Sequence, residues 1–300
     1  MRMRYRPNRH HRLKRNGINP QRFEASQLKF YAYLIPIALV TALPIIFIFV
    51  NAFKPIDELF AYPPRLFVRQ PTIRNFVALF NLSSSTNIPV SRYLINSIIS
   101  TALVMVGTLF ISVSAGYVFS KKKFRGVKTL FQINTVALMF VPTAVAIPRY
   151  FVITYTGLYN SFLAHVIPLL AMPVGVFLVK QFIDELPDAL IEAAVIDGAS
   201  DYQILRRIII PLVKPALATL MILTFQSAWN SSEASSLFIT NESLKNFAFY
   251  MTHLGNTAGN SIAGQGVGAA AALIMFLPNL VLFIILQSKV MSTMAHSGIK

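Results

Sequence analysis

Cysteine is absent from all 300 residues, so the chain can hold neither a disulfide nor a thiolate metal site. Acidic residues are few. Eleven Asp and Glu stand against 27 Lys and Arg, with none between Glu58 and Asp184 and none after Glu242. Proton-driven carriers place carboxylates inside their apolar segments, where their cost marks a relay; here every carboxylate lies outside such segments. An Na⁺ site built from carbonyls stays open. No glycine is followed by lysine, which removes the Gly-x4-Gly-Lys-Ser/Thr phosphate loop. Gly264, Gly266 and Gly268 open an apolar run rather than follow a strand, so they suit close helix packing and not a dinucleotide. Ser, His and Asp occur without any spacing that sets them as a triad. His165, the one histidine within an apolar run, is read as a packing residue rather than a ligand. The chain is read as no enzyme, with no catalytic residue, no metal site and no cofactor of its own.

What is abundant is apolar sequence. Hydrophobic residues make up 55% and charged residues 13%, with a mean hydropathy of +0.58, too apolar for an ordinary soluble domain. A bilayer core about 30 Å thick needs about 20 mostly apolar residues per helix. Six segments meet that length, at 31–53, 93–119, 129–150, 162–182, 214–232 and 265–287. Backbone groups in lipid must pair within their own segment, so these are expected to be helices, and the fold class is an all-α integral membrane protein with six transmembrane helices. The first segment is too long, and too far from the start, for a cleaved signal peptide.

The net charge of +16 could point to nucleic acid, so its placement decides. Nine Lys and Arg precede residue 30, and five more (Lys121, Lys122, Lys123, Arg125 and Lys128) fill the loop 120–128. With Lys180, Arg206, Arg207, Lys214, Lys289 and Lys300, one side of the membrane collects 20 basic residues and the other seven. That asymmetry predicts both termini in the cytoplasm. Basic residues beside a span are attracted to anionic lipid at about 1 kcal/mol each, so the tail is read as a membrane-surface element and no nucleic acid is expected.

The expected organisation is a basic cytoplasmic tail at 1–30, a transmembrane domain at 31–290 and a cytoplasmic C-terminal tail at 291–300. Outer loops are expected at 54–92, with one short helix near 73–80, and at 233–264, where Ser, Asn, Thr and Gly suit a solvated, adaptable connection. Pro36, Pro44, Pro142, Pro148, Pro168, Pro173 and Pro278 fall inside apolar runs and are read as bends.

The densest signal is the loop 184–213 between the fourth and fifth segments. Six of the 11 acids lie between Asp184 and Asp201, on the side where basic residues otherwise dominate. Pro187 and Asp188 open a helix, and Asp188 and Glu192 fall in its early turns, where carboxylates complement the dipole. Leu190, Ile191, Ala194 and Val195 recur at helical spacing and predict one apolar stripe. Gly198 can take the left-handed conformation that ends a helix, and Ser200 or Asp201 can cap the next, which carries Tyr202, Leu205 and Ile208 until Pro211 stops it. An amphipathic hairpin lying on lipid would present a basic polar face; the first helix here has an acidic one, which suits a protein partner carrying Arg or Lys.

Glu192-Ala193-Ala194, three residues, Gly198, nine residues and Ile208-Ile209-Ile210-Pro211 resemble the cytoplasmic coupling loop of ABC-importer permeases. The single departure is Ile210, where the family has Leu. The whole chain resembles a type I ABC-importer inner-membrane permease. More narrowly, Trp229-Asn230 after the fifth segment and a short tail with Gly298 are similar to the carbohydrate branch, in the manner of the second maltose-transporter permease subunit.

The resemblance implies a partner permease, two cytoplasmic ATPase subunits that bind the ATP and Mg²⁺, an extracytoplasmic solute-binding protein and a carbohydrate substrate. It assigns ATPase coupling to Glu192, Ala193, Ala194, Asp197, Gly198, Asp201 and Pro211. Sugars need hydrogen-bond partners, so the pathway candidates are the polar residues within segments: Asn96, Ser100, Asn134, Gln226, Trp229 and Asn230. Each can equally bond a neighbouring helix. In the 233–264 loop, Asn241, Asn246, Tyr250, His253, Asn256 and Asn260 are candidates for contact with the binding protein, a role implied by the maltose-type relatives. Another small solute as cargo, or a secondary carrier without an ATPase, are the competing readings.

Overall fold

The computed structural model describes residues 27–63, 65–82, 88–258 and 262–297. Among these, the regular elements are all helical. The basic tail lies outside the described residues up to 26, as do residues 298–300. In chain order the helices are α1 (Leu28–Ala52), α2 (Ile56–Leu59), α3 (Arg74–Asn81), α4 (Val90–Lys121), α5 (Val127–Ala137), α6 (Ala146–Tyr155), α7 (Ile167–Leu170), α8 (Pro173–Asp184), α9 (Asp188–Ile196), α10 (Asp201–Ile204), α11 (Ile210–Leu212), α12 (Lys214–Trp229), α13 (Glu233–Leu237), α14 (Phe247–Ala258) and α15 (Ile262–Ser297). The chain divides into two compact units between Phe47 and Ile48.

Among the described residues, four helical stretches are long and apolar enough to cross a membrane: Leu28–Ala52, Val90–Lys121, Phe162–Asp184 and Gly264–Val290. A fifth arises if Asp201–Leu212 and Lys214–Leu237, bent by 83° at their junction, are taken together. The segment expected at 129–150 is not one helix. It is α5 and α6 with turns between them over 138–145, a stretch that contains Pro142. Proline removes a backbone donor and crowds the preceding turn, so an apolar run of spanning length is interrupted near its middle.

Residues 233–264 also depart from expectation. Instead of a solvated connection, the segment is built from α13, a 3₁₀ turn at Glu242–Leu244, α14 and the start of α15. One face of α14 is apolar and buried: Phe247, Tyr250 and Leu254 pack with Leu79, Val90, Tyr93 and Ala271. The short helix expected near 73–80 is α3, and its buried Asn75 serves the end of α1. Asn75 Nδ2 donates to the carbonyls of Asn51, Ala52 and Lys54, where the chain leaves α1.

The largest core lies where α4, α8 and α12 meet the 184–213 loop. Val113, Tyr117, Val179, Ile183, Ala194, Ile204, Ile209, Val213 and Leu220 are all buried in it. Gly116 permits the close approach of α4 to α8. A Cβ there would stand 3.0 Å from Val179 Cγ1 and 3.2 Å from the Lys180 backbone nitrogen. Small residues at crossings let helices come together where lipid offers no hydrophobic drive.

Candidate functional site

The 184–213 loop folds as two helices joined at Gly198. α9 begins after Pro187, with Asp188 in its first turn. At its other end Gly198 has φ +77°, the Gly198 N–H donates to Val195 O at 3.0 Å, and the Ala199 N–H donates to Ala194 O at 2.9 Å. These two bonds form a Schellman ending, which satisfies carbonyls that the helix cannot. Ser200 then caps α10. Its hydroxyl accepts from the Gln203 N–H, and Gln203 Oε1 accepts from the Ser200 N–H at 2.8 Å, a reciprocal capping box. Asp201 is thereby left free for another task.

Pro211 does not stop the second helix. A π-helical turn at Leu205–Ile209 precedes it, the helix runs on to Leu212, and the chain turns at Val213. Widening the helix just before a proline relieves the clash with the carbonyl four residues back, and the break moves two positions on. The apolar stripe of α9 is only half buried. Ile191 and Ala194 pack into the core, while Leu190 and Val195 stay exposed and Ile196 is 85% exposed. Glu192, Ala193 and Asp197 share this exposed end, and Glu192 makes no ion pair among the described residues.

The hairpin is held from behind chiefly by the basic end of α4 and the residue that follows it. Lys121 Nζ donates to Asp188 Oδ1 at 2.6 Å and to the Leu186 carbonyl at 2.7 Å. Lys122 Nζ donates to Asp201 Oδ1 at 2.5 Å, and the Tyr117 hydroxyl donates to the same oxygen at 3.2 Å. Ser120 and Lys180 both donate to Asp184. The Lys121 hydrogen bond, then its charge, hold the Asp188 carboxyl below its ordinary value, while the Asp201 hydrogen bond raises the Lys122 ammonium. Reading the sequence missed these supports. A run of three lysines facing an acidic loop was the signal for them, available as charge complementarity between loops more than 60 residues apart.

The pathway candidates fall into two groups. Asn96, Ser100 and Trp229 are buried within the chain. Asn96 Nδ2 donates to Ser243 O and Lys245 O, Ser100 Oγ to Ser97 O, and Trp229 Nε1 to Met275 O. Asn134, on α5, is half-buried and donates to Pro173 O. Gln226 on α12 and Asn230 just after it are exposed, and bonded to each other through Asn230 Nδ2 and the Gln226 carbonyl at 3.1 Å. Asn279 of α15 stands 3.5 Å from Asn230 Oδ1 and extends this polar strip.

In the 233–264 segment, Asn246 is 2% exposed and works internally. Its Oδ1 accepts from Ser235 Oγ and the Phe249 N–H, and its Nδ2 donates to Ser231 O. Tyr250 is buried against Tyr93. Asn241 is exposed and caps the 3₁₀ turn, and His253 is exposed on α14. Asn256 lies on α14 with its side chain outside the described residues, and Asn260 lies outside them altogether. Asn160, with φ +55°, accepts from the Thr240 and Asn241 N–H groups, and Arg149 Nη1 donates to both carboxylate oxygens of Glu233 at 2.9 Å. His165 is buried, with Nε2 3.1 Å from the Leu244 carbonyl, a packing and bracing role. Among the described residues no cluster of three or more His, Asp or Glu is placed to hold a metal.

A sequence profile described as binding-protein-dependent transport system inner membrane component matches residues 107–288. The chain is 27% identical over 277 residues to the inner membrane ABC transporter permease protein YcjP of Escherichia coli, covering 92% of this chain and 97% of that one. It is 24% identical over 284 residues to the arabinooligosaccharides transport system permease protein AraQ of Bacillus subtilis, covering 94% and 98%. Among solved structures, a chain of a bacterial ABC transporter involved in import of the acidic polysaccharide alginate shares the fold. The TM-score is 0.72 at 22% identity, over 90% of this chain and 99% of that one.

Proposed function

We propose that this chain, which belongs to the family of binding-protein-dependent transport system inner membrane components, forms half of the translocation pathway of an ATP-driven sugar or oligosaccharide importer. ATP and Mg²⁺ are bound by two separate cytoplasmic ATPase subunits. A second, homologous permease supplies the other half of the pathway, and an extracytoplasmic solute-binding protein delivers the cargo. The chain crosses the membrane six times, with α5 and α6 together making the third, broken crossing and both termini in the cytoplasm. The oligosaccharide cargo of AraQ supports a carbohydrate substrate.

The hairpin of α9 and α10 is the observation that carries the reading. Its helices are fixed by a Schellman turn and a capping box, its inner side is locked by Lys121 and Lys122, and its outer end shows Glu192, Val195, Ile196 and Asp197 to solvent. An exposed apolar tip rimmed by carboxylates suits a cleft with basic walls in an ATPase subunit. Closure of the ATPases moves the hairpin as a rigid lever on α8 and α12. Along the pathway, Gln226 and Asn230 offer hydrogen bonds to sugar hydroxyls, with Asn134 at its margin, while Asn96, Ser100 and Trp229 brace the wall. Asn241 and His253, and Asn256 beyond them, face the binding protein; Asn246 and Tyr250 hold that surface in shape.

Purification of the full-length chain from its own membranes tests the reading. An ATPase should co-purify, and its hydrolysis should rise when a loaded solute-binding protein is added. A chain that brings no ATPase, or whose ATPase ignores the solute, overturns it and favours a secondary carrier.

A further inference from the structure

At the hairpin end of α4, α12 and α15 lies a groove of about 490 Å³. Its walls are apolar, from Leu109, Phe110 and Val113 on α4 and Leu217 and Met221 on α12. Its rim carries Arg206, Lys214 and Lys289, and among the described residues no carboxylate lines it. Arg206 and Lys214 are exposed and make no ion pair among the described residues. Beyond the groove, exposed Leu103, Val106 and Phe110 recur at helical spacing and carry the apolar wall along α4. From Ser114 back to Leu103 the helix rises about 16 Å, roughly half the hydrocarbon thickness of a bilayer.

We propose that this groove is a specific site for one anionic phospholipid of the cytoplasmic leaflet, its phosphate on Arg206 and Lys214 and an acyl chain along α4. The cytoplasmic placement rests on the orientation proposed above. The polarity of the site runs in one direction, with cations at the membrane-surface end and an apolar track one leaflet deep. That is the shape of an amphiphile. A free phosphate would leave the track unfilled, and a protein segment would have to bring an acidic cluster to the rim and an apolar strand down the track. In the orientation proposed above, Arg206 and Lys214 have side chains long enough to extend from an apolar wall to headgroup phosphates. The lipid would also wedge the π turn at Leu205–Ile209 against α4, since Leu205 and Ile210 flank the same groove.

The test uses the full-length chain, with whatever partners it brings, reconstituted with equal phosphatidylglycerol and phosphatidylcholine, washed in detergent, and read by native mass spectrometry. Wild type should retain phosphatidylglycerol selectively, and Arg206→Gln with Lys214→Gln should lower that preference by roughly fivefold per cation removed. A photoreactive amino acid in place of Phe110 should cross-link to lipid. Equal retention of the two lipids, an unchanged preference in the double variant, or cross-linking of position 110 to a protein chain instead would each overturn the site. A second version of the double variant, with Arg206→Lys and Lys214→Arg, should keep the preference, which separates lost charge from misfolding. None of these measurements needs transport or ATP hydrolysis, so failure of the importer reading through a missing ATPase is recorded separately from failure of the lipid site.

Discussion

Lys122 and Asp201 are 79 positions apart in sequence and 2.5 Å apart in space. Their bond ties the residue just after α4 to the first turn of α10, as Lys121, the last residue of α4, is tied to the first turn of α9 through Asp188. Both halves of the hairpin are therefore fixed to one element, and a push on either is passed into α4. The Lys122–Asp201 pair is solvent-exposed, so its worth to stability is about 0–1 kcal/mol. Its worth to coupling should be larger. Lys122→Gln and Asp201→Asn should each leave the melting temperature within a degree or two but raise the ATP hydrolysed per solute imported. A double-mutant cycle should show non-additive loss of coupling. Additive effects, or coupling equal to wild type in both single variants, would reject the tie.

The Asp188 carboxyl has its folded-state pKa depressed by Lys121. A depressed carboxylate contributes fully above its unfolded pKa, and the contribution is lost as pH falls through the folded value. The Lys121–Asp188 tie should therefore stand unchanged at neutral and mildly acid pH, and open only below the ordinary carboxylate value of 3.8. Two engineered cysteines, at Lys123 and Ala193, carrying spin labels would read this as a constant distance from neutral pH into mild acid. A distance that lengthens with a midpoint near 6 would contradict it.

At Gly198 a side chain would meet nothing within 4 Å, so any cost of substitution is conformational. Its φ of +77° disfavours a Cβ by about 1–2 kcal/mol, most for a β-branched residue and least for Asn. Gly198→Val should uncouple ATP hydrolysis from transport and Gly198→Asn should be milder. Equal coupling in all three chains would show that the turn geometry is not what matters.

This hairpin was legible because its determinants are local. Gly198 and Ser200 act on atoms three to five residues away, so the turn could be read from spacing, while the choice of Ser200 over Asp201 as the cap and the part of Gln203 came only with the structure. Pro211 misled because a single proline cannot announce the π turn that absorbs it. The break at 138–145 was hidden for a different reason. Met139, Phe140 and Val141 are apolar and exposed, so hydropathy scores them as spanning sequence, while hydropathy measures solubility in lipid and not continuity of a helix. The burial of α14 was invisible too. Asn246 and Tyr250 read as solvated until Ser231, Ser235 and Tyr93 are brought beside them from elsewhere in the chain.

Glu192 has solvent on its outer side and no ion-pair partner among the described residues, so removing it should leave the isolated chain unaltered. In the assembled transporter its carboxylate would be buried against a basic group, and loss of one partner of a buried pair costs about 3–5 kcal/mol. Glu192→Ala should insert and melt like wild type yet recover little ATPase on purification. Full ATPase recovery with normal transport would remove Glu192 from the interface.

A chain without cysteine offers a clean background for accessibility mapping. Cysteine at Gln226 or Asn230 should react with a water-soluble thiol reagent, and loaded binding protein plus ATP should change the rate. Cysteine at Asn96, Ser100 or Trp229 should stay protected, because those side chains are 3–4% exposed. Protection at Gln226 and Asn230 as well would move the pathway off α12.

Arg149 and Glu233 form an ion pair in which Nη1 is shared between both carboxylate oxygens at 2.9 Å. The pair joins α6, the second half of the broken run, to α13, and Ile153, Ala164, Phe238 and Ile239 pack between the same two segments. At 27% and 36% exposed, these side chains sit between a solvated pair and a buried one, so the interaction should be worth about 1–3 kcal/mol. Arg149→Gln should lower the melting temperature more than Lys122→Gln does, because it also leaves Glu233 partly desolvated without its cation. Glu233→Gln in the same chain should restore part of the loss. If the second substitution only adds to the damage, the ion pair is not what holds α6 against α13, and the apolar contacts of Ile153 and Phe238 carry the junction alone.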